Sequence, residues 1–378
     1  MNSRERLIAT LTGKPVDRVP VNFYEVGGFK VDPDDPDPFN VYNGPTWRPL
    51  LDLAEHKTDL LRMRGPKLAP APGSRKDEFF TTETTVENGS RFTRTTVRTK
   101  NRTLTSTVRR DPEVDTEWEI EHLLKDMDDL KAYLSLPDEA LDEDADVSEL
   151  QPEEALVGDR GLVMISTPDP ICLAAALFSL DTYILTAFSE PELFHALLEK
   201  LARPLYKTTE QVAKACPGFL WRIFGPEYAT EPYLPPQCFV DYVVRYTEPM
   251  VRIIQANGGW VRLHSHGRIR SALPHIVGMG VDATDPIEPS PQGDVDLAYV
   301  RREYGQDIAL FGNLEISDIE TLAPAEFEKV VAQSIEEGSR GTGRGFCLMP
   351  TAAPYGRVIG AHTMANYETM VRLTHAGA

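Results

Sequence analysis

Two imidazoles stand two residues apart in Leu263-His264-Ser265-His266-Gly267, where the apolar run of Trp260, Val261 and Leu263 ends. Alternate residues of an extended segment share a face, so both rings can reach one point. Neutral imidazole is a common zinc ligand, and His-x-His at a strand end presents two nitrogens together. The pair alone more often means two satisfied or exposed rings at a strand end. Two later segments favour metal: Glu288 in Asp285-Pro286-Ile287-Glu288-Pro289, and Cys347 in Phe346-Cys347-Leu348-Met349-Pro350, each at the end of a short apolar run. For Cys347 the competing reading is a small buried hydrophobe.

The elements that must position these residues alternate regularly after Gly161. Strands are expected at 162–166, 219–224, 260–264, 281–284, 308–311 and 345–349. Helices are expected between and after them at 171–179, 191–215, 236–257, 269–279, 296–304, 325–337 and 363–375. Ser189-Glu190-Pro191-Glu192 reads as the capping box of the second helix. Strand–helix alternation with short loops implies parallel strands and right-handed crossovers. Adding strands near Val19 and Leu60 gives eight. The only glycine-rich candidate, Gly341-Thr342-Gly343-Arg344-Gly345, precedes a strand, whereas a nucleotide cradle follows one and opens a helix. The expectation is a closed (β/α)8 barrel, whose active site is built at the C-terminal strand ends. Glu227, His264, His266, Glu288, Asn313 and Cys347 all fall at such ends.

The N-terminal part elaborates this barrel. A helix is expected over 3–12, a strand over 19–24, a loop over 32–49 and a helix over 48–57. The segment 75–115 reads as an inserted antiparallel meander, because Asn88-Gly89 is a strong hairpin signal and Lys100-Asn101-Arg102 the next turn. Its arginines (Arg91, Arg94, Arg98, Arg109, Arg110) read as a solvated face in preference to an anion site. A helix is expected over 119–134, and 137–160, acidic and without a basic residue until its last position, as a linker. The whole of 1–378 is taken as one domain.

Composition limits the function. Of 378 residues, 41% are hydrophobic and 26% charged, as in a soluble globular chain. A net charge of -19 with no basic stripe argues against a nucleic-acid partner. The longest apolar stretch, 171–180, is too short to span a bilayer, and no signal peptide is read at the start. Cys172, Cys216, Cys238 and Cys347 form no CxxC, which fits a reducing compartment; the expectation is a cytoplasmic protein with no membrane partner.

Several motifs carry a family resemblance. Asp17-Arg18-Val19-Pro20-Val21, Asn257-Gly258-Gly259, His264-x-His266-Gly267, Gly280-Val281-Asp282, Tyr304-Gly305 and Phe311-Gly312-Asn313-Leu314 together resemble the uroporphyrinogen decarboxylase superfamily. That superfamily is a (β/α)8 barrel comprising the decarboxylase and zinc methyltransferases that act with corrinoid proteins. The decarboxylase carries an arginine-bearing motif after its first strand to grip substrate carboxylates; here the loop is Asn22-Phe23-Tyr24-Glu25-Val26-Gly27-Gly28, with no cation. The methyltransferases carry His-x-Cys on one strand and Cys on a later one. This chain matches at His264 and Cys347 and has His266 where that pattern has Cys.

The resemblance therefore implies a zinc-dependent methyltransferase or O-demethylase component, with Zn2+ on His264, His266, Glu288 and Cys347. Its methyl group would pass between a small thiol or methyl ether and a corrinoid (cobalamin) carried by a separate corrinoid protein, since no Asp-x-His-x-x-Gly stretch is present to ligate cobalt. Tyr24, Glu25, Glu227, Tyr228 and Asn313 are the candidate substrate-binding residues, with capping and loop hydrogen bonds as their plainer role. The alternatives are a decarboxylase that grips its acid with other basic residues, and a non-catalytic barrel that binds a small molecule.

Overall fold

The structure is a computed structural model that describes residues 1–29 and 37–376; positions 32–36 of the expected loop lie outside it. Seven strands form one parallel sheet: β1 (Leu60–Arg64), β2 (Gly161–Pro168), β3 (Leu220–Phe224), β4 (Trp260–His264), β5 (Ala283–Asp285), β6 (Ala309–Leu314) and β7 (Phe346–Pro350). Neighbours in the sheet are neighbours in this order, and from β2 onward every crossover runs through helix.

Side-chain alternation gives the sheet two buried faces. Leu61, Leu162, Met164, Leu220, Phe311 and Met349 belong to one apolar cluster on the interior face. Residues of the other parity, such as Ile165, Trp221, Ile223, Val261, Leu263, Leu310 and Leu348, join the larger cluster formed with the helices. Helix Ser3–Thr12 starts where expected, on a capping box of Asn2 with Glu5. It sends Leu7 and Leu11 into the interior cluster and lies at the N-terminal strand ends, where Gly345 N donates to Thr10 O.

The expected strand over 19–24 is reduced to one bridging residue. Val21 bridges Leu348 of β7 in parallel, and Asp59 N, just before β1, donates to Val21 O, so both edges of the sheet are tied to this segment. The run is cut short because Pro20 has no N–H to donate and the chain turns at once into the 3-10 segment Tyr24–Gly28.

Beyond the sheet, the meander has four antiparallel strands, Phe80–Glu87, Ser90–Arg98, Thr103–Arg110 and Glu117–Glu121. Asn88 (φ 50°) and Gly89 (φ 83°) make its first hairpin. Its last strand and helix Met127–Leu134 together replace the helix expected over 119–134. Arg91, Arg109 and Arg110 pair with Asp37, Asp111 and Asp115, so these arginines meet the protein's own carboxylates at the sheet surface. The segment 137–160 is not a bare linker: Glu143–Asp146 pairs with Lys67–Pro70, and Leu150–Val157 is helical. Nor is Ser189 a cap. It ends an additional helix, Leu180–Ser189, and the next helix, Pro191–Ala215, starts after Glu190 with no side-chain cap. Among the described residues no helix is long and apolar enough to cross a membrane.

Candidate functional site

The site grows from β4. Arg262 and His264 share its interior face, and register places Arg262 beside Arg222 of β3 and His264 beside Asp285, the last residue of β5. His264 is 2% exposed. Its Nδ1 lies 2.8 Å from Asp285 Oδ2 and its Nε2 3.2 Å from the Tyr24 hydroxyl. Arg262 Nε lies 3.0 Å from the other Asp285 oxygen. Arg222 Nη2 is 2.5 Å from the Tyr24 hydroxyl oxygen and 3.8 Å from Glu25 Oε1.

Donor chemistry fixes the direction of this chain. Guanidinium can only donate, so Tyr24 accepts from Arg222 and gives its own proton to His264 Nε2. His264 must then carry its proton on Nδ1 and donate to Asp285, which Arg262 also holds. Two adjacent buried arginines are tolerated because a carboxylate or a phenol oxygen faces each one.

The charge states agree with that direction. Burial, and next the field of Arg222, push His264 down to about 3, so the ring is neutral. Burial alone would raise Asp285, but Arg262, His264 and Arg222 draw it down to about 2. Burial holds the Tyr24 phenol protonated, well above its ordinary range.

The second imidazole is different. His266 Nδ1 is 2.7 Å from Glu288 Oε1, and Gly267 N donates to Glu288 Oε2 at 2.5 Å. Burial would lower His266, but the hydrogen bond and charge of Glu288, with Glu227 and Asp285 beyond, bring it above its ordinary value. The two rings stand 4.5 Å apart at 87°. One is neutral inside a proton-ordered chain and the other tends to a cation at its edge.

Backbone strain collects at the same place. Tyr24 (φ 54°) and Ile287 (φ 57°) sit in the left-handed region, which a β-branched residue strongly disfavours. Each delivers a site group, the Tyr24 phenol itself and the neighbouring Glu288, and strain of about 1–3 kcal/mol persists only where surroundings enforce it. Gly312 of β6 allows the close approach on that side, since a Cβ there would lie 2.0 Å from Pro286 O.

The structure thus brings His264, His266, Glu288, Tyr24 and Glu25 together. Glu227 follows β3 and acts electrostatically on His266 and Arg222; its Oε2 is buried without a hydrogen-bond partner. Tyr228 neighbours Glu227 and Cys172, and Asn313, near the end of β6, has a buried Oδ1 without a partner. Cys347 is elsewhere in character. It is fully buried in the interior apolar cluster with Leu7, Leu11 and Phe311, and its thiol points to Leu348 O at 3.9 Å. Burial pushes that thiol well above its ordinary range, and the charges acting on it are Asp59, Arg262, Arg18 and Asp285.

The four expected zinc donors consequently do not form one set. Glu288 is spent on His266 and on the Gly267 amide, Cys347 is a core residue, and both nitrogens of His264 are engaged. Among the described residues no three of His, Cys, Asp and Glu are placed to hold a metal ion. Sequence reasoning missed Arg222, Arg262, Asp285 and Glu315. A signal existed for the arginines, because Trp221-Arg222-Ile223 and Val261-Arg262-Leu263 put a cation in the middle of a buried strand, which demands a buried anion.

With this geometry in place, sequence comparison settles the family. The profile of the family described as uroporphyrinogen decarboxylase (URO-D) matches residues 124–376, about two thirds of the chain. The chain belongs to the URO-D family. The match spans β2 to β7 and the closing helix Ala361–His375, so it includes every strand that carries the arginine and histidine cluster. A solved methyltransferase from Methanosarcina mazei has the same fold, with a TM-score of 0.60 at 13% identity over 100% of this chain and 99% of that one. No curated protein matches the sequence.

Proposed function

We propose that this URO-D family member is a methyltransferase that holds a small methyl-bearing substrate at the C-terminal end of its sheet and delivers the methyl group to a corrinoid on a separate protein. The observation that carries this reading against decarboxylation is the state of the interior arginines. A substrate bearing several carboxylates needs cations free to clamp it. Arg262 is taken by Asp285, Arg222 by Tyr24 and Glu25, and the loop 22–28 offers none.

Within this reading, Tyr24, His264 and Asp285 form a fixed polar wall, while His266 and Glu288 form a charged edge, with Glu227 beside it, where substrate is oriented. A closed eight-stranded barrel, with the Val21 segment as its eighth stave, is the architecture that goes with it. The four-residue zinc set does not fit, because Glu288 and both nitrogens of His264 are already engaged.

The test is incubation with a reduced Co(I) corrinoid protein and, in turn, a methyl thioether, a methyl ether and a quaternary ammonium donor. Appearance of the methylated corrinoid spectrum with one donor class is expected. No methylation with any of them, together with turnover of uroporphyrinogen to coproporphyrinogen, refutes the reading.

A further inference from the structure

A second opening lies beside the C-terminal ends of β1 and β2. It is a cavity of about 290 Å³ between these strand ends, the helix Pro191–Ala215 and the small antiparallel pair of Lys67–Pro70 with Glu143–Asp146. In register, Pro168 at the end of β2 stands beside Phe224, and Phe224 beside His264, so two strand spacings, roughly 10 Å, separate the cavity from the first imidazole. The two regions meet at Ser166, which lines the cavity and accepts from Arg222 Nη1 at 3.3 Å.

The walls are mostly apolar. Leu68, Leu141, Leu173, Leu201 and Leu205 face the cavity, and Pro66, Pro168 and Pro204 add flat rings against which a planar group can pack. Leu68 lines it while staying 52% exposed, so the open cavity leaves a large apolar side chain in water. Among the described residues no lysine or arginine lines it, and the one carboxylate that does, Glu143, is held by Lys76 Nζ at 2.6 Å. An anion would find no counter-charge there, and a cation would find the carboxylate taken, so the walls select a neutral ligand.

Two hydroxyls define the polar group such a ligand needs. Thr167 Oγ1 donates to Pro168 O at 3.3 Å, and Thr208 Oγ1 to Pro204 O at 3.1 Å. Each spends its single proton on the backbone, which leaves only lone pairs to offer the cavity. The ligand therefore brings the donor. An apolar cavity of about 150 Å³ accepts benzene, so this one has room for one ring with its substituents.

We infer that this cavity is a binding site for a neutral single-ring phenol, with the ring among the leucines and prolines and the hydroxyl donating to the threonine oxygens. Such a lining, apolar with a few placed polar atoms, is that of a small-molecule site. The inference goes beyond the methyl-transfer reading and does not depend on it, since no bond of the ligand is made or broken here.

Ligand-observed NMR titration of the full chain tests this with 4-methylphenol, toluene and 4-methylbenzoate. The phenol is expected to saturate one site, toluene to bind about three- to tenfold more weakly for want of one hydrogen bond, and the benzoate not to compete. Replacing both threonines, Thr167→Val with Thr208→Val, should bring 4-methylphenol to the affinity of toluene and leave toluene unchanged. Leu205→Trp fills the cavity and Leu68→Glu puts a charge on its exposed rim, so each should weaken both neutral probes several-fold. No saturable binding of 4-methylphenol into the millimolar range, equal binding of 4-methylphenol and toluene, displacement by 4-methylbenzoate, or wild-type affinity in the Leu68→Glu and Leu205→Trp variants overturns the inference. Should the Leu205 or threonine variants fail to fold, the exposed Leu68 position and the wild-type comparison of the three probes still decide it.

Discussion

Replacing Asp285 by Asn tests whether the interior cluster is held together by one charge. The substitution keeps the side chain's volume and an oxygen for His264 Nδ1–H, and removes the only carboxylate among the described residues within ion-pair distance of Arg262, a residue 1% exposed. Breaking a buried pair by deleting one partner costs about 3–5 kcal/mol, because the other charge stays buried. Unfolding entropy near 2.1 cal/mol/K per residue gives roughly 0.8 kcal/mol/K for 378 residues, so the melting temperature should fall by about 4–6 °C. Arg262→Met alone should cost a similar amount. The double variant should be more stable than the two losses added together, since neither charge is then stranded. Differential scanning calorimetry of the four proteins at pH 7 measures all three terms. A single Asp285→Asn variant that melts within about 1 °C of wild type, or a double variant at or below the additive value, would refute the idea that the pair is mutually required.

Three further outcomes follow from the same network. Tyr24→Phe leaves Arg222 and His264 Nε2 each short of a buried partner and should cost about 1–3 kcal/mol in urea denaturation; unchanged stability would mean the phenol is not the link between them. His264 is held near pH 3 in the fold against 6.5 when unfolded. The unfolded chain therefore binds the extra proton first, and stability should decline as pH falls from about 6.5 toward 3, by a few kcal/mol in order of magnitude. His264→Gln should flatten that slope in denaturation curves taken across the window, and an equally steep slope would assign it to other groups. Cys347→Ala should leave the metal content of the purified protein as it was, measured by elemental analysis; loss of stoichiometric zinc in that variant would restore Cys347 as a ligand.

The fold was legible where buried strands and amphipathic helices alternate without interruption. From Gly161 onward the apolar runs 162–165, 309–311 and 346–349 became strands, because parallel strands covered on both faces favour continuous apolar sequence. Legibility failed where local pattern and tertiary demand diverge. Glu117–Glu121 reads equally as the start of a charged helix, and only the ladder to Thr107–Arg110 makes it a strand. Ser189-Glu190-Pro191-Glu192 has the letters of a capping box, but Ser189 is already the end of the preceding helix and Glu190 takes the boundary instead.

At the site, the spacing of the two histidines was legible in the sequence and their hydrogen-bond partners were not. His264 and His266 were found because their spacing alone places them on one face. Their roles depend on second partners that no spacing reveals. Asp285 and Glu288 lie three residues apart on one turn, and each ends on the Nδ1 of a different imidazole, because the left-handed Ile287 between them swings Glu288 back toward Gly267. The sequence contains that carboxylate–histidine pairing only as Asp-Pro-Ile-Glu. Cys347 shows the complementary case. Its position on the interior face of β7 is what a ligand would need, yet its neighbours there are Leu7 and Leu11 from the first helix, more than 300 residues away in sequence. A thiol whose surroundings come from the far end of the chain cannot be told from a core residue until that helix is in place. The interior arginines were the stronger clue, since a cation fixed in the middle of a buried strand calls for an anion on the neighbouring one, and here that anion, Asp285, also sets the protonation of the histidine.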